Sequence, residues 1–129
     1  MNLKSIFNIR GTNIWIIALS IAANLLWSFF VMILIFIVIL DSADRDASQA
    51  QLGLMIAEFI GPFLIGWFCG WLAFDDRGPT YGVIGALGSV LIILITLLAS
   101  GLIAILLTIV ALAGGFNGGL LSLYRGRRK

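Results

Sequence analysis

The chain is expected to fold as an all-α integral membrane bundle of four transmembrane helices with both termini cytoplasmic. Three observations carry that expectation. The composition is 61% hydrophobic, 11% charged and lacks histidine, with a mean hydropathy of +1.14, whereas soluble domains carry about 25% charged residues. Long apolar runs alternate with short polar breaks, each run able to supply the roughly 20 residues that cross a bilayer core. Positive charge is also one-sided: with four crossings, Lys4, Arg10, Arg77, Arg125, Arg127, Arg128 and Lys129 share one face and only Arg45 takes the other. The positive-inside rule makes the richer face cytoplasmic. A three-helix reading would translocate the basic tail.

The elements follow in order. The first apolar run covers about 14–40, long enough to tilt or protrude. It exceeds the h-region of a signal peptide, so it is expected to be retained. Asp41–Asp46 is a polar loop, and the second helix is placed at about 48–74. Asp75-Asp-Arg-Gly-Pro79 makes a turn in which Gly-Pro stops one helix and starts the next. Asp75 and Asp76 have the chemistry to hold a divalent cation weakly, but they read first as a solvated turn. From Thr80 to Tyr124 nothing is charged, and Ser100-Gly101 is the best break, giving helices at about 80–99 and 102–124. Trp15, Trp71, Phe74, Tyr81 and Tyr124 then fall near the cytoplasmic ends, where amphipathic rings settle. The whole of 1–129 reads as one domain. The basic tail reads as a topology anchor against anionic headgroups and not as a nucleic-acid site.

Within the helices, glycines and isolated polar residues stand out. Gly66 and Gly70 form one small-residue step, Gly82, Gly85 and Gly88 line the third helix, and Gly115 and Gly119 form a step in the fourth. Small residues let backbones approach where lipid removes the hydrophobic drive between helices. Asn24, Ser89 and Asn117 fall at comparable depths and read as hydrogen-bonding contacts between helices. Glu58 is the one acid well inside an apolar run. Pro62 lacks the N–H that would bond the carbonyl of Glu58, so a carboxyl and a freed carbonyl coincide. Thr108, at a similar depth by helical rise, and Thr96, nearer the surface, complete a candidate intramembrane polar site. Three roles stay open for Glu58. It is a neutral acid donating to Thr108 or a carbonyl, or it has a charge partner on another subunit, or it binds a proton or cation reversibly during transport.

No hydrolytic, redox or phosphate-binding constellation is present. Cys69 has no cysteine to pair with, and Cys and His cannot supply zinc ligands. No enzyme activity, cofactor or metal is therefore expected.

Gly66-x-x-x-Gly70-x-Leu72 echoes Gly115-x-x-x-Gly119-x-Leu121, as a duplicated helical hairpin would. The pattern Gly61-Pro62-x-x-x-Gly66-x-x-x-Gly70, then Gly78-Pro79 and Gly82-x-x-Gly85-x-x-Gly88, resembles small four-helix membrane proteins of bacteria and archaea whose function is uncharacterised. Gly66-x-x-x-Gly70 followed by Asp75 or Asp76 and Gly-Pro is also distantly similar to accessory protein I of ATP synthase operons. That second resemblance implies help in assembling a membrane rotor ring. Both rest on residues 61–88 and on packing glycines, and carry over no functional residue. The expected role is a non-catalytic accessory or structural subunit of a larger complex in a prokaryotic inner (cytoplasmic) membrane. Its expected partners are lipid and other membrane subunits or copies of itself. The alternative is a small homo-oligomeric transporter or channel using Glu58.

Overall fold

The computed structural model describes residues 9–41, 47–97 and 101–126. Four helices fill it: α1 Ile14–Asp41, α2 Ala47–Leu72, α3 Gly78–Leu97 and α4 Leu102–Gly126. Each is long and apolar enough to cross a membrane. The shortest, α3, has 20 residues, or about 30 Å of rise, and the 28 residues of α1 reach about 42 Å. Lys4, Arg45 and residues 127–129, which entered the charge argument, lie outside the described residues, as does Ser100 of the expected break.

Local chemistry sets the helix ends. Asn13 caps α1, its Oδ1 accepting the N–H of Trp15 at 3.0 Å. α2 runs unbroken through Pro62 and stops at Leu72, two residues earlier than expected. Phe74 there takes a left-handed φ of 51°, the conformation that closes many helices. Asp75 Oδ1 accepts the N–H of Arg77 at 3.1 Å, an Asx turn leading into α3. Pro79 lies in the first turn of α3, where an N–H has no intrahelical partner in any case. Gly101, with φ of 49°, opens α4.

Contacts give an up-down-up-down arrangement. α2 and α4 run parallel, with Phe59 against Gly114 and Phe63 against Gly118, while α3 runs antiparallel to α4, with Gly78 against Gly119 and Gly82 against Gly115. α2, α3 and α4 form a triangle, α1 packs on α2 and α3, and α1 and α4 do not meet among the described residues. Toward the α1–α2 connection sits an apolar cluster of Val31, Leu54, Ile93, Ala104, Leu107 and Ala111. Toward the α2–α3 turn, Ile16, Cys69 and Tyr81 pack together.

Tyr81 departs from its expected place as an interfacial ring. It is fully buried, and its hydroxyl donates to Asp75 Oδ2 at 2.9 Å while accepting the Asn13 N–H at 2.8 Å. A phenol inside the bundle needs such partners, and here they stitch the turn to the start of α1. The Arg77 guanidinium adds a bond to the Arg10 carbonyl. Trp15, Phe74 and Tyr124 do face outward.

Candidate functional site: a polar row ending on Glu58

The buried face of α1 is polar. Ser20, Asn24 and Ser28, four residues apart, are each fully buried, whereas Leu26, Phe29, Phe30 and Phe36 point outward. Residues at i, i+4 and i+8 share one side of a helix, so the spacing aligns them in a seam. Ser20 Oγ donates to the Tyr81 carbonyl at 3.2 Å, and Asn24 Nδ2 donates to the Ser20 carbonyl at 2.8 Å.

At the far end of the seam lies Glu58, with no exposed surface. Ser28 Oγ donates to Glu58 Oε2 at 2.8 Å and stands 2.7 Å from Ser89 Oγ of α3. Ser89 Oγ is in turn 3.4 Å from the Asn24 carbonyl and 3.5 Å from Asn24 Oδ1, at the outer edge of hydrogen-bond reach. Three helices therefore converge on one carboxyl. Its other oxygen, Oε1, has no hydrogen-bond partner among the described residues, although buried polar atoms are nearly always paired. One turn along, Trp27 of α1 donates its indole N–H to the Ala57 carbonyl at 3.0 Å. Its ring occupies the space that a Cβ on Gly61 would fill.

The structure thus brings Glu58, Asn24 and Ser89 together and leaves the other expected polar residues apart. Thr108 does not bond Glu58: its hydroxyl is buried without a partner. Thr96 bonds its own helix, Oγ1 to the Ile92 carbonyl at 2.7 Å. Asn117 does the same, Nδ2 to the Ala113 carbonyl at 2.7 Å, and both side chains are on exposed residues. Asn117 therefore makes no interhelical contact of the kind expected for it. Pro62 is buried one turn beyond Glu58, and its ring nitrogen leaves the Glu58 carbonyl without the usual helical donor.

Sequence reading missed Ser20, Ser28, Trp27 and the Tyr81–Asp75 link. The four-residue spacing of Ser20, Asn24 and Ser28 was the signal available for the seam. Tryptophan and tyrosine carried none, because an interfacial ring and a buried one look alike in a string of letters.

The packing glycines serve contacts within the chain. Cβ atoms on Gly66 and Gly82 would overlap the Gly115 backbone, and one on Gly119 would strike Gly78. Gly70 meets Ser122 and the Gly78 backbone, Gly85 accommodates Ser20, and Gly88 abuts the Ile21 carbonyl of α1. Among the described residues, no three His, Cys, Asp or Glu side chains group as metal ligands. Comparison with family models, curated proteins and solved structures finds no match.

Proposed function

We propose that the chain is a small transporter or channel of the inner (cytoplasmic) membrane, working as a homo-oligomer, whose working group is the Glu58 carboxyl. One observation carries this reading. A fully buried carboxyl has one oxygen held by Ser28 and the other without a partner. Ionisable groups in hydrocarbon are costly, and where they occur they commonly mark ion pathways or proton relays. The small-residue faces are occupied inside the chain, which favours a self-contained site over docking to foreign subunits.

Flux measurements on reconstituted vesicles test the proposal. The wild type is expected to move protons or monovalent cations down an imposed gradient, faster than empty vesicles. Glu58→Gln, which keeps shape and loses the titrating group, is expected to lose at least tenfold of that flux. Equal flux from the two proteins would sink it.

A second reading, an accessory or structural subunit, is favoured by the outer half of α1. Phe29, Phe30, Ile33 and Phe36 face outward there, beside a groove of about 1070 Å³ between α1 and α2. Foreign subunits retained in native mass spectra after mild extraction support that reading, and a homo-oligomer alone supports the first. The likeness to accessory protein I makes a rotor-ring subunit the first foreign mass to look for.

A further inference from the structure

We infer that Glu58 exchanges a proton and not a metal cation, and that Ser28, Ser89 and Asn24 form a hydrogen-bonded row that reverses polarity when it does. The inference deepens the proposed transport reading and rests on the same carboxyl.

A serine hydroxyl carries a single proton. Ser28 has two short contacts, to Glu58 Oε2 at 2.8 Å and to Ser89 Oγ at 2.7 Å, so it donates to one and accepts from the other. With Glu58 ionised, Ser28 donates to Oε2 and Ser89 donates to Ser28. With Glu58 neutral, its proton has two possible seats. On Oε1 it would be a buried donor with no acceptor, since Oε1 has no partner among the described residues. On Oε2 it can be donated to Ser28, leaving Oε1 as an under-satisfied acceptor, which proteins tolerate better than an orphaned donor. The proton on Oε2 turns the Ser28 hydroxyl toward Ser89, and Ser89 then donates to Asn24.

Asn24 provides an end point for that turn. Its carbonyl and Oδ1 both lie near Ser89 Oγ, at 3.4 and 3.5 Å, and its Nδ2 is tied back to Ser20. The amide group is thereby held in orientation while its oxygen waits for a donor. The proton balance is simple. Glu58 takes one proton from water and returns it to water, the serine hydroxyl protons only rotate, and none passes beyond Asn24. The spacing favours a proton over a cation. Oxygens 2.7–2.8 Å apart are at the normal distance for sharing one hydrogen, and a cation bound among them would have to spread them.

Among the described residues, no other charged side chain is set against Glu58. The spans of α1 (14–38), α3 (78–97) and α4 (102–124) hold no Asp, Glu, Lys, Arg or His. Tyr81 lies two turns from Ser89 toward the α2–α3 turn, and Tyr124 faces outward at the end of α4. Cys69 lies three turns away on α2 itself. A carboxyl titration seen in the bundle interior therefore belongs to Glu58.

Infrared difference spectra of the full chain in lipid bilayers, recorded between acid and alkaline pH, test the row. The protein carries carbon-13 asparagine, so that side-chain amide bands can be identified. In the wild type, loss of the neutral carboxyl band and a shift of an asparagine amide band are expected at one common midpoint. Glu58→Gln is expected to lose both. Ser28→Ala and Ser89→Ala are expected to keep the carboxyl band and lose the amide shift, whereas a merely structural role would leave that shift in place. An asparagine band that stays still while the wild-type carboxyl titrates would overturn the row, and this reading needs no variant to fold. A midpoint that moves with sodium or potassium concentration at fixed ionic strength would overturn the choice of proton. Coupled bands without flux would instead sink the transport reading and leave the row intact.

Discussion

Trp27 lays its ring over Gly61 while its indole N–H bonds the Ala57 carbonyl, so a glycine and a tryptophan on neighbouring helices depend on each other. Gly61→Ala is expected to expel the ring and cost about 1–3 kcal/mol, the usual scale of overpacking. Gly53→Ala is the control on the same helix. A Cβ there meets nothing within 4 Å, and alanine should gain up to about 1 kcal/mol of helix propensity. Unfolding in mixed micelles would measure both, and equal effects would refute the ring-over-glycine contact. Ser28→Ala is expected to cost about 1–2 kcal/mol in the same assay, because it removes the hydroxyl between Glu58 and Ser89. Glu58 was legible in the sequence as an acid where acids are costly; its partner was not. Helical rise gives a residue's level from an assumed helix start, but rotation about the axis and the register of neighbours decide contact. The Thr108 hydroxyl does not bond Glu58, and Ser28 holds the carboxyl instead.

Among the elements, α2, α3 and α4 are joined backbone to backbone at several glycines, whereas α1 is held by a polar seam and one such approach, Gly88 against Ile21. Gly82→Ala would place a methyl against the Gly115 carbonyl. The obstruction is backbone, so two helices must part, at an expected cost of about 2–3 kcal/mol. Asn117→Ala should change stability by less than about 0.5 kcal/mol, since its amide serves only its own exposed helix. Equal losses from this pair, read in one unfolding series, would contradict the assigned contacts. That glycines mark close approach was legible in their spacing. Which helices they join was not, because a three-way meeting of Gly66, Gly82 and Gly115 has no counterpart in any one stretch of chain. The echo between Gly66–Gly70 and Gly115–Gly119 places one equivalent pair, Gly66 and Gly115, face to face, whereas Gly70 meets Ser122 and Gly119 meets Gly78. A twofold pair of hairpins would also bring α1 against α4 as α2 meets α3, and that contact is absent among the described residues.

For the molecule as a whole, four membrane crossings would put both ends on one side. Reporter fusions at residues 1 and 129 are expected to give the same cytoplasmic signal, and opposite signals would remove the four-span topology. Cys69, 1% exposed between the apolar cluster and the turn, should resist maleimide labelling in the folded protein and react once it is unfolded. By itself, the sequence determined the number of apolar helices, their approximate limits and the position of the one interior acid. Those properties depend on local composition, on the bilayer-length rule and on turn residues such as Gly78-Pro79 and Gly101. Only the tertiary structure decided that Tyr81 is buried, that Ser20, Asn24 and Ser28 face inward, and that Glu58 meets Ser28, which bridges it to Ser89. An apolar exterior suits lipid equally well at every rotation of a helix, so hydrophobicity does not say which side faces in. The polar side chains and glycines choose the rotation, and they do so together, once the helices meet.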